Sequence, residues 1–246
     1  MRNGRIALAV LAALCSAGCG RTYGLPRGAT VQAQAMYQDW TIFFYAGLAV
    51  AAIVFTLILV PLVVWRRRSE AYPPQFRRNN RWEFVYTGIP ILMVLALFGV
   101  TYVEEARVER LAPHPANVVD VIAFRWSWEF RYPGHPIAVV GTPQSPPALI
   151  LPLGETTRIH LTSRDVNHAF WIPGFLFKRD AIAGIDNYFD LQPTHLGFFR
   201  GKCAEFCGLD HATMTFGVRV VTQNDYARWL RSGGSSAALS PVGGPS

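Results

Sequence analysis

The sequence predicts a two-helix transmembrane hairpin followed by an all-β Greek-key sandwich or barrel. Three observations carry this expectation. Residues 41–65 and 84–103 are long stretches without a charge, six arginines crowd the loop between them, and from about residue 117 short β-rich runs alternate with Pro and Gly. Composition agrees, with 51% hydrophobic residues, 16% charged residues and a mean hydropathy of +0.20. Soluble domains carry about 25% charged residues, so the composition disfavours an ordinary cytosolic enzyme. A chain disordered over most of its length is excluded too, because so much apolar surface is available for burial. The net charge of +7 is uneven. Pro115 to Asp225 holds nine Lys and Arg against ten Asp and Glu, and most of the other fourteen basic residues sit around the apolar runs. Nucleic-acid binding needs a basic face on the folded domain. Here the positive charge points to a lipid bilayer.

The elements follow in order. Arg2 and Arg5 precede a short apolar run over residues 6–14, which ends in Ser16-Ala17-Gly18-Cys19. Nine apolar residues are too few to span a bilayer, so residues 1–18 are expected to be a signal peptide. Its end resembles a bacterial lipobox with Cys19 as the lipidated residue, although Ser16 stands where such motifs usually have Leu. A plain signal peptide cut nearby is the alternative. Residues 20–40 form an external segment. Residues 41–65 make about 37 Å of helix, enough for a ~30 Å hydrocarbon core with tilt, and residues 84–103 also suffice. The loop 66–83 carries Arg66, Arg67, Arg68, Arg77, Arg78 and Arg81. By the positive-inside tendency it lies in the cytoplasm. The chain is then a multi-pass protein of the cell membrane with its C-terminal domain on the external side.

Residues 115–225 read as that domain. Candidate strands are 118–126, 148–151, 157–161, 169–172, 187–191, 197–199 and 215–221, separated by turns such as Pro133-Gly134 and Pro173-Gly174. Seven short strands in about a hundred residues suggest a sandwich or small barrel. A short helix is expected over 225–231, and the Gly, Ser, Ala and Pro of 232–246 suggest a disordered tail.

The chemistry is concentrated between Cys203 and Met214, in the run CAEFCGLDHATM. Cys203, Cys207, His211 and Met214 offer two thiolates, an imidazole and a thioether, and His168 upstream offers a second imidazole. This soft ligand set suits copper in an electron-transfer site. Other readings of the same residues stay open. Cys203 and Cys207 are close enough in sequence for a disulfide, which an exported domain permits. Two Cys and two His would also satisfy zinc, although a thioether is not among its usual ligands. Met214 alone could be core packing.

The segment from Cys203 to Met214, together with Asp165-Val166-Asn167-His168, resembles the binuclear copper A site of subunit II of haem–copper cytochrome c oxidases. The resemblance runs from the first apolar helix to about Leu230 and implies a cupredoxin-like domain behind two membrane helices. It implies that Cys203 and Cys207 bridge two copper ions as a mixed-valence centre. His168 and Met214 would complete one copper, and His211 with the backbone carbonyl of Glu205 would complete the other. It further implies that electrons arrive from cytochrome c, or from a membrane-bound cytochrome c donor, and pass to haem in subunit I for oxygen reduction coupled to proton pumping. Oxidase subunit I, other oxidase subunits and the lipid bilayer are the implied partners, with no nucleic acid among them.

By the same resemblance Trp126 matches the aromatic where electrons enter. Trp126 and Trp128 would share a strand face, so the family pattern alone selects between them. The side chain of Glu205 matches a ligand of a magnesium or manganese ion at the interface with subunit I, and Asp180 a water-mediated neighbour. Glu83 matches a carboxylate at the cytoplasmic mouth of a proton channel; otherwise it is an interfacial charge at a helix end. The sequence departs from the family at Ala183, commonly Pro, and at Tyr86, commonly Trp. No CxxCH is present, so a fused c-type haem domain is not expected. The lipobox and the arginine content fit a bacterial, actinobacterial version. A copper-free quinol oxidase relative would not need the intact ligand set. A nitrogen-oxide reductase with the same centre is disfavoured by the two-helix hairpin.

Overall fold

The computed structural model describes residues 24–66, 72, 75 and 77–240. The expected signal peptide and Cys19, Arg67 and Arg68 of the loop, and residues 241–246 lie outside the described residues. Two compact units are present, one of residues 38–107 and one formed by the rest.

Helix α1 spans Val31–Val64 and helix α2 spans Asn80–Val108. Both are long and apolar enough to cross a membrane, with mean hydropathies of 2.8 and 2.1 in their most apolar windows. Apolar side chains such as Leu57, Leu62, Leu92 and Phe98 stand exposed along them. Helices apolar on every side belong in lipid or in a large core. Two of their hydroxyls are satisfied within the helix, Thr56 donating to the Ala52 carbonyl at 2.7 Å and Thr101 to that of Leu97 at 3.1 Å. Both helices outrun the apolar stretches that announced them. Helix α1 begins ten residues before residue 41 because Thr30 caps it, accepting from the Ala33 N–H at 3.0 Å, and because Ala, Gln and Met favour helix. Glu83 lies in the first turn of α2, where a carboxylate suits the positive helix end.

The other unit is built on two five-stranded sheets. The first has the order β3 (Ile137–Val140), β2 (Ser127–Tyr132), β1 (Asn117–Phe124), β5 (Thr157–Ser163), β8 (Asn187–Leu191). The second has β4 (Ala148–Pro152), β10 (Thr215–Val221), β9 (Gly197–Cys203), β6 (His168–Ile172), β7 (Phe177–Ala181). Pairs β1–β5 and β4–β10 are parallel and the rest antiparallel. The expected all-β architecture is therefore present, with ten strands in place of seven. The expected strand 118–126 is corrected. It ends at Phe124, Arg125 and Trp126 form a turn, and the chain returns as β2. No Gly, Pro or Asn marks that turn, so the β-rich run read as continuous.

The core fills the space between the sheets. Trp128, Phe130 and Tyr132 are all buried. The Trp128 ring meets Phe216 and Phe170 edge-on at centroid distances of 5.1 and 5.6 Å. The Tyr132 hydroxyl accepts from the Ile150 N–H at 2.8 Å, and its ring meets Trp229 at 4.7 Å. Trp229 belongs to α3 (Gln223–Arg231), which Thr222 caps by accepting from the Asp225 N–H at 3.1 Å. Residues 232–240 differ from the disorder expected of them. Ser236–Ala238 form a 3-10 turn, Leu239 joins the core, and the Ser240 hydroxyl donates to Asp225 at 3.2 Å.

Candidate metal centre

Strand pairing brings the candidate ligands together. Strand β9 ends at Cys203, residues 204–210 form a loop, His211–Thr213 make a 3-10 turn, and β10 begins at Thr215. The Cys203 N–H donates to the Met214 carbonyl at 2.9 Å, closing the loop at its base. The Ala204 N–H donates to the Ala169 carbonyl at 3.0 Å, and Phe170 pairs with Cys203. His168, the first residue of β6, is thereby set beside the start of the loop. Gly208, with φ at +116°, allows the chain to turn under the Trp126 ring, where a Cβ would meet Trp126 Cζ2 and Nε1 at 3.3 Å.

One atom each from His168, Cys203 and Cys207 lies within 4.8 Å of the others. The two thiols are free and buried, with their sulfurs 3.9 Å apart. His168 Nδ1 is 3.8 Å from Cys203 Sγ, and the Glu205 carbonyl oxygen is 3.2 Å from the same sulfur. His211 Nδ1 and Met214 Sδ lie 3.5 and 3.7 Å from Cys207 Sγ. Three side chains, His168, His211 and Met214, and one carbonyl thus converge on a pair of sulfurs. Burial opposes ionisation of Cys203, but His168 and nearby backbone groups outweigh it and bring the thiol down to about 7. Burial, and then the charge of Cys203, push Cys207 up to about 12. Two thiolates this close repel each other, and a cation between them would relieve both. The soft donor set fits copper.

A second group of contacts ties the cluster to the β1–β2 turn. Trp126 Nε1–H donates to the Cys207 carbonyl at 3.1 Å. Asp165 Oδ1 holds His168 Nε2 at 2.9 Å, while Oδ2 accepts from the Arg125 backbone N–H at 2.8 Å and from its Nε at 3.3 Å. Burial would raise the Asp165 carboxyl, but His168 and the N–H groups of Arg125 and Val166 hold it at about 2. Trp126 and Trp128 do not share a strand face: Trp126 is half-buried in the turn and Trp128 lies wholly in the core, 6.3 Å from the His168 ring. Glu205 points its side chain outward on the loop. Asp180 is exposed on β7, its carbonyl accepting from Asn187 at 2.7 Å. Among the described residues, neither carboxylate joins a cluster of three potential ligands. The links made by Asp165 and Arg125 escaped the sequence reading; the only signal was an Asp three residues before the histidine.

A buried thiol pair at the end of one sheet of a β-sandwich, with His168, His211 and Met214 around it, defines a copper-binding, cupredoxin-like domain, carried in this chain behind two membrane-length helices. Known proteins make the class specific. Residues 144–221 match the family described as cytochrome C oxidase subunit II, periplasmic domain. The probable cytochrome c oxidase subunit 2 of Streptomyces avermitilis is 36% identical over 248 residues, covering 85% of this chain and 78% of the relative. Cytochrome c oxidase subunit 2 of Mycobacterium tuberculosis is 32% identical over 285 residues, covering 92% and 78%. The crystal structure of the periplasmic domain of subunit II of cytochrome oxidase from Bradyrhizobium japonicum is 28% identical, covers 50% of this chain and 96% of that one, and superposes with a TM-score of 0.46. The chain belongs to the cytochrome c oxidase subunit II family, and is thus a subunit of a haem–copper terminal oxidase that associates with other oxidase subunits.

Proposed function

We propose that this chain takes single electrons from a cytochrome c at Trp126 and delivers them, through a site for two copper ions, to haem in subunit I. Oxygen is reduced to water there, with protons pumped. The observation that carries this reading is the free thiol pair 3.9 Å apart, joined to Trp126 through the Cys207 carbonyl. Cys203 and Cys207 would hold both ions, with His168 and Met214 serving one and His211 and the Glu205 carbonyl the other. When bound, two coppers sharing two thiolates spread one unit of charge change over both ions. The chain's own residues do the rest. Asp165 fixes the His168 ring so that Nδ1 faces Cys203. Burial of Cys203, Cys207, His168 and Met214 keeps water from the sulfurs. The sandwich limits ligand movement, and the hydrogen bond from Trp126 to Cys207 gives a short through-bond path from the surface.

Three further roles belong to the same reading. The exposed Glu205 side chain would meet a magnesium or manganese ion completed by subunit I, with Asp180 nearby through water. Glu83, in the first turn of α2, would sit at the cytoplasmic mouth of a proton channel. The arginine-rich loop faces the cytoplasm and the copper domain the exterior. Rapid-mixing kinetics of the purified oxidase test electron uptake. Trp126→Gln should slow oxidation of the donor cytochrome at least roughly tenfold while the copper spectrum and donor binding stay unchanged. A wild-type rate would place uptake at another residue.

A further inference from the structure

The surface beside Trp126 has an unexpected polarity. Two arginines flank the turn that carries it, Arg125 in the turn itself and Arg164 in the neighbouring β5–β6 loop, whose N–H donates to the Ala123 carbonyl at 3.0 Å. Their side chains are 50% and 48% exposed. The carboxylates that pair with them are not. Asp165 is 24% exposed and has both oxygens engaged by His168, Arg125 and the Val166 N–H, while Glu129 is 6% exposed and held by both Arg164 and Arg131 at 2.5 Å. A docking molecule therefore meets guanidinium groups, with the balancing anions beneath them. Of the carboxylates on the ligand loop, Asp210 is half-buried and Glu205 is assigned above to the subunit I interface. The loop also presents Phe206 and Leu209, 80% and 89% exposed. Side chains that apolar are left exposed where another surface covers them.

We infer that this face docks a c-type cytochrome whose haem edge is ringed by acidic and apolar residues, not by lysines. The inference rests on Trp126 being the point of electron uptake and names the chemistry of the partner at that same point. One electron would cross per encounter, oxidising the donor haem iron and reducing a copper ion that Cys203 and Cys207 would hold. Arginine suits this role because its planar group pairs with carboxylates in a fixed geometry and stacks on apolar surface. Opposite charge raises the rate of encounter and makes it sensitive to salt.

The test uses the purified oxidase complex and two soluble c-type cytochromes, one with an acidic haem edge and one with a lysine-rich edge. At low ionic strength the wild type should oxidise the acidic donor about tenfold faster, and salt should erase the difference. Arg164→Glu should remove most of the preference without changing the copper spectrum, because Arg164 touches no ligand. Arg125→Gln should act in the same direction. A wild-type preference for the lysine-rich donor, or a preference that Arg164→Glu leaves intact, overturns the inference. Trp126→Gln separates the two layers of the argument. If it slows both donors while the polarity result fails, only the partner chemistry is wrong. If it slows neither, uptake at Trp126 is wrong and the inference falls with it.

Discussion

Asp165 serves two neighbours with one carboxylate. One oxygen orients the His168 imidazole and the other holds the turn that presents Trp126, so the proposed ligand and the proposed electron-uptake residue are positioned together. Partners behind a metal-bound histidine commonly affect affinity about 10–100-fold. Asp165→Asn should therefore weaken copper binding measurably, shift the absorption bands and slow donor oxidation. Unchanged affinity and bands, measured by copper titration, would mean that the contact is incidental. Cys203→Ser or Cys207→Ser should abolish any two-copper spectrum, whereas Met214→Leu should leave a coloured site with an altered potential, since an axial thioether tunes copper more than it holds it. The candidate ligands stand out in the sequence because four of them lie within twelve residues. Asp165 and Arg125 could not, because they are forty positions apart and meet only when β1 and β5 pair in register.

His160 shows how a strand pairing can respond to pH. It stands on β5 between Asp120 of β1, at 3.0 Å, and Asp186 just before β8, at 2.9 Å, with Tyr188 stacked on its ring at 4.7 Å. Partial burial lowers its affinity for a proton, but the two carboxylates outweigh that and the net shift is upward. A pKa raised above the unfolded value, about 6.5, gives stability that is complete below that value and is lost as pH rises through the folded one. Wild type should therefore lose its melting-temperature advantage over His160→Gln between mildly acidic and alkaline pH; a constant difference would show that the histidine is not charged in the fold. The core depends on other residues. Trp128→Ala should cost about 3–5 kcal/mol, read from denaturant unfolding. Strands with alternating apolar residues were legible, and 187–191 and 215–221 match β8 and β10. Strand β7 was missed because Lys178, Arg179 and Asp180 make it look like a loop, although charge is what protects an edge strand from pairing further.

Membrane segments and ligand loop were both visible in the sequence because each is a local pattern: length without charge for the helices, ligand spacing for the site. What stayed hidden was where α1 begins, since Gln32, Gln34, Gln38 and Asp39 interrupt the apolar residues of 31–40 and only the Thr30 cap and helix-forming residues mark them. The proposed orientation rests on the arginines of the loop. In intact cells, a thiol reagent that does not cross membranes should label a cysteine placed at Ser235 and spare one placed at Ser69; the reverse pattern would invert the topology. The reading of the whole chain rests on the metal. Copper should be added to the purified protein, the bound metal counted, and absorption and electron paramagnetic resonance spectra recorded on the same sample. Two coppers per chain, with one unpaired electron shared equally between two copper nuclei, is the expected result. A single copper with its spin on one nucleus, or tight zinc with no copper uptake, would contradict it.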